Sequence, residues 1–370
     1  MTEPAARQRI AERRIAVDAR PLCHPGTGIY RYTRELLTRM CRLGGEWFLY
    51  SPQRYDIDQL DLPNIHHRVA GVPRALRAGQ LAQLFFPWWS KRDRVEVFWG
   101  PRHQLPPLLR NVHTVVTIHD LVWKDHGETM RFPGRQIEDF FTPRAMARAD
   151  VITVVSQFTR QRLEHYFPQY VGKLVVIPGA SMLSAAAMAV PAAQGEYFLF
   201  VGTLEPRKNL PRLLRAYRRY VTGSSQARPL KIVGGAGWGG EDIVSLISEL
   251  GLETKVQLLG KVDDSGLRSL YAGAYALLMP SLYEGFGLPV VEALSVGVPV
   301  VTSRDSAMSE VAGAAGLYVD PYSEDEIMHT LMTISGDTGL YSVLRQRSSL
   351  EAERYSWDIS STLMADVLLR

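Results

Sequence analysis

The sequence predicts an α/β fold made of two doubly wound domains, each on a parallel sheet. Short runs rich in β-branched residues alternate with helical patterns, and many of these runs end in Gly, Pro, Asp or His. A chain of 370 residues is too long for one typical core. Residues 179–195 lack both charge and clear periodicity, which indicates a linker between the two domains.

Twelve strands are predicted, and helices fill the gaps between them, notably after Gly28 and Gln157. Before the linker the predicted strands are Arg14–Asp18, Trp47–Tyr50, Val95–Phe98, Thr114–Ile118, Val151–Val154 and Leu174–Ile177. After it they are Tyr197–Val201, Leu230–Val233, Val256–Leu259, Ala276–Met279, Pro299–Thr302 and Gly316–Val319. Ligands of open α/β sheets bind outside the carboxyl ends of the strands, so the loops that follow the strands are where we expect a site.

The composition is that of an ordinary folded protein and argues against several other classes. With 46% hydrophobic and 22% charged residues the chain is not disordered, and no apolar run reaches membrane-spanning length. The opening sequence MTEPAARQRIAERR has no apolar core, so we expect no signal peptide and a cytoplasmic location. A net charge of +4 gives no sufficient argument for nucleic acid binding. Cys23 and Cys41 lack CxxC spacing and are expected to be reduced structural thiols.

The segment EGFGLPVVE, from Glu284 to Glu292, predicts an anion-binding site. Gly285 and Gly287 allow a tight turn, and Pro289 suits a first helical position, so a helix should begin near Pro289. The free N–H groups and the positive end of the dipole at such a helix start favour a phosphate. The alternative is that Glu292 only complements the helix dipole and that Glu284 is a solvated loop acid.

A second candidate loop, GTLEPRKN, follows the predicted strand that ends at Val201. Its adjacent Arg207 and Lys208 suit a diphosphate, because Arg offers a bidentate fork and Lys a compact point charge. Such a pair can neutralise the negative charge that grows on a departing pyrophosphate group. A solvated basic loop is the alternative.

Two loops in the first half are further candidates. The segment GTGI around Gly28 offers small residues for a close approach to a phosphate or a sugar, or it is only a tight turn. His119 follows an apolar strand, so its side chain is expected at the carboxyl end, although a lone His is more often a surface or core residue. His113, His119 and His126 have no spacing typical of metal ligands, and no metal site is predicted.

A glycine-rich segment offers a rival interpretation. Gly235, Gly237 and Gly240 match the GxGxxG pattern of dinucleotide-binding enzymes, with Asp263 farther downstream than the usual ribose-binding acid. A nicotinamide-dependent dehydrogenase is therefore one alternative. It explains neither the Arg–Lys pair nor the two glutamates.

Taken together, these motifs resemble the retaining glycosyltransferases of family 4, which have the GT-B fold. The resemblance rests on the two glutamates separated by seven residues, on GTLEPRKNL and on TIHDL. Supporting segments are WGPRHQLP near residue 99, GKVDD near 260, SEVAGAAGLYVDP near 309 and YSWD near 355. The motifs occur in the family's order and cover nearly the whole chain.

The GT-B resemblance implies two Rossmann-like domains facing a central cleft, which would close around the substrates and exclude water. The implied acceptor-binding domain spans residues 1–185 and the nucleotide-sugar-binding domain spans residues 186–350. Residues 351–370 would form a helix that packs back on the first domain.

The resemblance also implies residue roles. Arg207 and Lys208 would bind the donor diphosphate, Glu284 would orient the donor sugar, and Glu292 would bind the nucleotide ribose. Further implied positions are His119 near the reacting centre, Gly28 near the donor phosphates, and the donor-binding residues Val262, Gly285, Phe286, Gly287 and Leu288. Many members have Arg where this chain has Thr203, so Arg207 must supply that charge.

In this family retention is commonly explained by same-face attack, with the leaving phosphate accepting the proton of the acceptor, so Glu284 is not expected to be a nucleophile. The cations and the helix start would replace a metal, and no cofactor is expected. In the family's bacterial polysaccharide branch the pattern often accompanies GDP-mannose or a related GDP-hexose. We therefore expect mannose transfer to a saccharide acceptor, lipid-linked, in O-antigen or exopolysaccharide synthesis. A non-catalytic sugar-nucleotide-binding partner is a second rival, but its expected mark, the loss of the charged site residues, is not found.

A basic and aromatic segment between residues 68 and 94 predicts contact with the inner face of the plasma membrane. Its aromatic centre LFFPWW is bracketed by Arg68, Arg74, Arg77, Lys91, Arg92 and Arg94, against the single acid Asp93. The alternative is that Phe85 and Phe86 are core residues and that the charges form a solvated rim.

Overall fold

The computed structural model describes residues 10, 12–55, 57–71, 78–107, 111–183, 195–238 and 242–370, without the side chains of 78–83. The chain divides into two compact units. Unit 1 comprises Met1–Leu121, Gln136–Gly179 and Ser356–Arg370, and unit 2 comprises Val122–Arg135 and Ala180–Tyr355. Residues 184–194 of the predicted linker and Gly240 lie outside the described residues.

Each unit is built on one sheet, and every strand pair in the described residues is parallel. The strands of unit 1 are β1 (Arg14–Asp18), β2 (Glu46–Ser51), β3 (Ile65–Val69), β4 (Val97–Gly100), β5 (His113–Ile118), β6 (Val151–Val154) and β7 (Leu174–Val176). Those of unit 2 are β8 (Tyr197–Val201), β9 (Leu230–Val233), β10 (Val256–Gly260), β11 (Ala274–Met279), β12 (Val300–Ser303) and β13 (Gly316–Val319).

The described helices follow the strands in the alternation that the sequence predicts. In chain order they are α1 (Gly28–Met40), α2 (Ala78–Arg92), α3 (Val122–Asp125), α4 (Gly134–Arg148), α5 (Gln157–Tyr166), α6 (Leu210–Gly223), α7 (Ile243–Glu249), α8 (Asp264–Ala272), α9 (Leu288–Ser295), α10 (Ala307–Ala312), α11 (Glu324–Gly336), α12 (Thr338–Ala352) and α13 (Trp357–Leu368). In the described parts of the chain, none of them is long and apolar enough to cross a membrane.

The strand order of each sheet reverses once. Unit 1 has the order β3-β2-β1-β4-β5-β6-β7, and unit 2 has β10-β9-β8-β11-β12-β13. The reversal in unit 2 therefore lies between β8 and β11, where the loops that follow these two strands diverge. Such a switch point leaves a crevice at the carboxyl ends of the strands, which is where open α/β sheets bind ligands.

The predicted α/β architecture is confirmed, and all twelve predicted strands are present. One strand was not predicted: β3, with the sequence IHHRV, lies at the edge of its sheet and carries polar side chains at three successive positions. The strand predicted at Val95–Phe98 begins two residues later, at Val97. Val95 is buried but does not join the sheet, because its N–H donates to the carbonyl oxygen of Ser90 at 2.9 Å and so continues the turn that ends α2.

The last helix belongs to unit 1. Trp357 packs edge-to-face on Tyr32 of α1, with ring centroids 5.8 Å apart. Arg39 Nε donates to Asp358 Oδ1 at 2.8 Å, and His113 Nε2 lies 3.1 Å from the carbonyl oxygen of Val367. These contacts fix α13 against both a helix and a strand of unit 1.

Candidate active site

The loops that carry the strongest sequence motifs of unit 2 both lie at its switch point. The loop after β8 contains Arg207 and Lys208, and the loop after β11 contains Glu284. A backbone hydrogen bond from Leu282 N to the carbonyl oxygen of Arg207, at 2.7 Å, ties the two loops together. The parallel topology thus brings together residues that are 76 positions apart in the sequence.

Glu284 bridges both cations. Its Oε2 accepts from Arg207 Nη1 at 2.7 Å, and its Oε1 pairs with Lys208 Nζ. Arg207 Nη1 also donates to the carbonyl oxygen of Tyr283 at 3.2 Å. Because Glu284 and Lys208 are both buried, each charge depends on the other for compensation.

A second carboxylate, Glu205, completes this group. Its Oε1 lies 2.6 Å from Arg207 Nε, and the residue is buried. Glu205 was not predicted as a site residue, although it lies inside GTLEPRKN, two residues before Arg207. The described site therefore holds two carboxylates and two cations in one hydrogen-bonded network, whose formal charge is neutral before any substrate binds.

Burial and ion pairing act in opposite directions on this network. Burial alone would raise the pKa of the Glu284 carboxyl, but Arg207 and Lys208 together lower it to about 2. Burial lowers the pKa of Lys208 and raises that of Glu205, against the attraction of their neighbours. Glu284 is thus firmly ionised at neutral pH.

Local backbone features explain why Arg207 and Lys208 point into the site. The Pro206–Lys208 segment is a single turn of 3-10 helix, and Asn209 ends it in a left-handed conformation with a φ of 60°. Asn tolerates this conformation better than most residues. The Asn209 amide then donates to the carbonyl oxygens of Pro280 and Pro321, at 2.9 and 2.6 Å. The turn is therefore held by side-chain bonds to neighbouring loops.

The loop after Glu284 leads into α9 as the sequence predicts, with the helix beginning at Leu288, one residue before Pro289. Gly287 is its N-cap with a φ of 103°, and a Cβ there would lie 3.0 Å from Met308 Cγ, so glycine is required. Gly285 and Phe286 are buried, and the Phe286 ring packs edge-to-face on Tyr355 at 5.4 Å. The start of α9 has no side-chain cap, and the N–H groups of Val290 and Val291 donate to the carbonyl oxygen of Gly287 at 2.9 and 3.3 Å.

Glu292 lies on α9, apart from the Arg207–Lys208–Glu284 network, and is 2% exposed. Its Oε2 accepts from the hydroxyl of Tyr271 at 2.9 Å, a contact that the sequence did not predict. Tyr271 belongs to α8 and is fully buried. A tyrosine hydroxyl bound in this way fixes the carboxylate of Glu292 in one orientation.

Val262 stands between β10 and α8 and is half-buried. The preceding strand ends at Gly260 with a φ of 64°, and Asp263 caps α8 by accepting from Gly266 N at 2.7 Å. Val262 is therefore held at the carboxyl end of its strand between two fixed positions. Asp263, which the dinucleotide interpretation singled out, has this capping role.

The glycine-rich segment packs against the loop that carries Arg207. Leu204 and Ala236 form an isolated β-bridge, and Leu204 N donates to the carbonyl oxygen of Gly235 at 3.0 Å. A Cβ on Gly234 would lie 1.8 Å from the carbonyl oxygen of Gly202, and one on Gly237 would lie 2.1 Å from that of Leu204. These glycines have a packing reason that does not involve a dinucleotide.

His119 belongs to unit 1 and follows β5. Its Nε2 lies 2.7 Å from the carbonyl oxygen of Pro101, so Nε2 carries the proton and Nδ1 carries the lone pair. Its ring packs edge-to-face on Tyr32, with centroids 5.1 Å apart. Burial lowers the pKa of His119 to about 3. The imidazole is therefore neutral at physiological pH and offers an acceptor atom.

His119 is positioned by two residues that were not predicted from the sequence, His103 and Glu138. The backbone N–H of His119 donates to His103 Nε2 at 2.8 Å, and His103 Nδ1 lies 3.0 Å from Glu138 Oε2. This arrangement places the His103 proton on Nδ1, facing Glu138. Although Glu138 raises the pKa of His103 against the effect of burial, protonation of Nε2 would break the bond from the His119 backbone.

Gly28 is also in unit 1, as the first residue of α1, and it is exposed. Thr27 caps the helix by accepting from Tyr30 N at 3.2 Å.

The structure thus brings Arg207, Lys208 and Glu284 together, places Gly285–Leu288 and Glu292 on the adjoining loop and helix, and places Gly28 and His119 in the other unit. Across the described residues, no group of three or more His, Cys, Asp or Glu side chains is arranged to hold a metal ion.

Family models match both halves of the chain. The model described as Glycosyltransferase Family 4 matches residues 26–180, and the model described as Glycosyl transferases group 1 matches residues 189–349. The second match contains all four members of the charged network and also Glu292.

Known proteins with similar sequences and structures agree with these matches. The chain is 28% identical to O-antigen chain mannosyltransferase B of Escherichia coli, over 94% of this chain and 97% of that protein. It is 26% identical to O-antigen chain mannosyltransferase RfbU of Salmonella typhimurium, over 81% of this chain and 84% of that protein. Among solved structures, Anabaena HepE in complex with UDP-glucose superposes with a TM-score of 0.74 at 18% identity, covering 96% of this chain and 99% of that one.

The two parallel sheets, the charged network at the switch point of unit 2 and the family matches lead to one conclusion. This chain belongs to the glycosyltransferases of family 4 and has the GT-B fold.

Proposed function

We propose that this glycosyltransferase transfers mannose from GDP-mannose, with retention of configuration and without a metal, to a lipid-linked saccharide in cell-surface polysaccharide synthesis. The observation that carries the proposal is the network in which Arg207 and Lys208 converge on Glu284 beside the uncapped start of α9. Two cations next to the positive end of a helix dipole are suited to a diphosphate.

The diphosphate would take over part of the role that the carboxylates have in the free enzyme. Arg207 is held between Glu205 and Glu284, so both its donor edges are already oriented. When the sugar–phosphate bond breaks, negative charge grows on the leaving group and positive charge on the sugar. The cations stabilise the negative charge on the leaving group. The ionised carboxylate of Glu284 is available for a sugar hydroxyl or for the positive charge on the sugar.

The remaining proposed roles follow from protonation and burial. Glu292, oriented by Tyr271, would accept from the ribose hydroxyls of the nucleotide. His119 cannot act as a general acid near neutral pH, because its pKa of about 3 leaves the imidazole neutral there. We assign it a positioning role in which Nδ1 accepts from a hydroxyl of the donor sugar. The acceptor's proton would pass to the leaving phosphate, with no enzyme base required.

The choice of GDP-mannose is supported by the names of the two O-antigen mannosyltransferases that the chain resembles. The HepE complex contains UDP-glucose, which makes a UDP-sugar the donor to test against it. The two donors differ in their base, so stabilisation by the free nucleotides distinguishes them.

Thermal unfolding with GDP, UDP, ADP and NADH, each at the same concentration, tests the donor. We expect stabilisation by GDP of about 2.7 kcal/mol at a hundredfold excess over its Kd, and a smaller effect in Glu292→Gln. A preference for UDP would keep the transferase but overturn mannose, and a response to NADH alone would overturn the whole proposal. Transfer that persists in EDTA supports the metal-free mechanism, whereas its loss, restored by a divalent cation, would contradict it.

A lipid-linked acceptor is supported by the exposed face of α2. Leu84, Phe85 and Trp88 are 68%, 42% and 58% exposed. Phe86 and Trp89 of the same helix are buried, so the alternative that Phe85 and Phe86 are core residues is right for Phe86 and wrong for Phe85. Spacings of one and four residues place the three exposed side chains on one side of the helix. We call Leu84, Phe85 and Trp88 the apolar face of α2.

Basic groups flank the apolar face of α2. Lys91, Arg92 and Arg94 are exposed, and the Arg92 guanidinium lies 5.8 Å from the centre of the Trp88 ring. Arg68 is instead paired with Asp93 at 2.8 Å. Arg74 and Arg77 lie outside the described residues. Exposed aromatic rings bordered by cations suit the interface of an anionic bilayer.

A further inference from the structure

A cavity in unit 2 adjoins the loop that carries the diphosphate-binding residues. It has a volume of about 610 Å³ and is lined by Glu128, Thr129, Met130, Arg131, Pro206, Gly237 and Trp238. Pro206 immediately precedes Arg207, and the ring of His126 lies 5.8 Å from that of Tyr283, beside Glu284. The cavity is therefore next to the charged network but contains none of its four side chains.

The cavity is formed by segments distant in sequence. Residues 122–135, which come between strands of unit 1 in the sequence, belong to unit 2 and supply four of the lining residues. The indole Nε1 of Trp238 donates to the carbonyl oxygen of Thr129 at 3.2 Å. This bond fixes the plane of the Trp238 ring and joins the glycine-rich segment to residues 122–135.

The lining combines an aromatic ring with charged groups that can exchange hydrogen bonds. Trp238 is half-buried and offers a large apolar surface, while the side chain of Glu128 is 70% exposed. Arg131 is exposed and forms no ion pair with any of the described residues. A sugar ring has an apolar C–H surface edged by hydroxyls, and pockets for such ligands pair apolar walls with a few placed polar groups.

We propose that this cavity is a subsite for a neutral saccharide unit of the acceptor, with Trp238 against the sugar ring and with Glu128 and Arg131 on its hydroxyls. The inference rests on the proposed function, since it gives the acceptor a contact in unit 2. Its volume lies within the range of about 300–1,000 Å³ that is usual for small-molecule sites. The glycine-rich segment then has two roles. Gly234 and Gly237 allow the loop that carries Arg207 to pack closely, and Trp238 contacts the acceptor.

Binding of free disaccharides tests the subsite without any nucleotide. The probes are neutral disaccharides of mannose, glucose, galactose and N-acetylglucosamine, with binding followed by ligand-observed NMR. We expect at least one to bind with a Kd in the millimolar range. Affinity should fall about tenfold or more in Trp238→Ala and in Arg131→Ala. It should stay within about threefold in Trp238→Phe, which keeps an aromatic ring although it lacks the indole N–H, and in Arg218→Ala, an exposed Arg on α6 that serves as a matched control.

The proposal is overturned if no disaccharide binds the wild-type protein, or if Trp238→Ala and Arg131→Ala bind as the wild type does. Stabilisation by GDP is measured in parallel on every variant. Normal GDP stabilisation with lost disaccharide binding supports an acceptor subsite, whereas joint loss of both shows only a structural role and counts against it. Failure of the wild type to respond to GDP would overturn the donor assignment while leaving the disaccharide result to stand by itself. If Trp238→Ala does not fold, Arg131→Ala decides the outcome.

Discussion

At the scale of single residues, Glu284 is held ionised by two cations although it is buried. Its two carboxylate oxygens are divided between Arg207 and Lys208. The free energy of these pairs is present only while Glu284 is charged. The folded protein therefore contains a stabilising interaction whose strength depends on pH and whose components are also the proposed substrate ligands.

Replacement of Glu284 by Gln keeps the shape of the side chain but removes its charge, and leaves buried Lys208 without its partner. We expect the free energy of unfolding at pH 7 to fall by about 3 kcal/mol, as measured by urea denaturation. Transfer should fall strongly. Binding of GDP should be retained, because the carboxylate no longer competes with the diphosphate for the cations. Loss of GDP binding in a folded Glu284→Gln protein would contradict this assignment.

The effect of Glu284→Gln on the free energy of unfolding should also depend on pH. The pKa of Glu284 is about 2 in the folded protein and is ordinarily near 4.5, so its stabilisation is complete above pH 4.5 and is lost as the pH falls toward 2. The stability difference between wild type and Glu284→Gln should shrink over that interval. Exposed Glu353 supplies the matched control: Glu353→Gln should keep the wild-type free energy of unfolding at pH 7.

His119 adds a second pH dependence to the free energy of unfolding, and its cause is burial, whereas that of Glu284 is ion pairing. Its pKa falls from an ordinary value of 6.5 to about 3, so between these values the unfolded chain binds a proton that the folded protein does not. Stability must therefore decrease on acidification, with a contribution that approaches about 1.4 kcal/mol per pH unit. In His119→Gln this slope should be absent between pH 6 and 5, a range above the titration of Glu284. Equal slopes in the two proteins would show that His119 is not the group responsible.

At the scale of elements, the site depends on two loops that approach more closely than side chains would allow. Gly234 has a φ of 152°, and a Cβ there would meet the backbone of Gly202. We expect Gly234→Ala to displace the loop that carries Arg207 and Lys208, and thereby to reduce the rate of transfer tenfold or more. Gly172→Ala, where nothing lies within 4 Å, is the control and should leave the rate unchanged. An unaltered rate in Gly234→Ala would mean that the loop position does not matter for catalysis.

The elements themselves were largely predictable from the sequence, because buried parallel strands read as continuous apolar runs and glycines mark their ends. The edge strand β3 was missed because only its first residue is buried. The convergence of Arg207 and Glu284 follows from strand order, which periodicity alone does not contain. Resemblance to a family supplied that step.

What the sequence could not indicate were the residues whose role is to hold other residues. Tyr271 bonds to Glu292, and His103 bonds to the backbone of His119, yet neither pair has a local spacing that marks it. Glu205 could have been found, since it is the acid within GTLEPRKN. A carboxylate beside two cations in the sequence, however, is equally typical of a surface ion pair. Only burial distinguishes the two cases.

At the scale of the whole molecule, the apolar face of α2 predicts reversible binding to membranes. We expect the protein to sediment with vesicles that contain anionic phospholipid, and less so as salt is raised, because the flanking cations are screened. The double variant Phe85→Ser and Trp88→Ser should bind roughly tenfold or more weakly, since partial burial of two aromatic side chains contributes over 1 kcal/mol.

The control for vesicle binding is Val343→Ser, which removes an exposed apolar side chain from α12. It should bind as the wild type does. Equal binding of the aromatic double variant, or binding to neutral vesicles alone, would show that α2 is not the contact surface. A thermal scan of each variant verifies that the fold is retained.

The division of the chain between the two units also determines the order in which they can form during synthesis. Unit 2 has all its residues once Tyr355 has been added, although its segment Val122–Arg135 was made much earlier. Unit 1 includes the earlier residues, but it lacks α13 until the ribosome reaches Leu368. Trp357 and the carbonyl of Val367, which bonds to His113, are therefore added to it last. The unit whose first residues are translated earlier is thus the unit that is completed later, because neither unit is one uninterrupted piece of the chain.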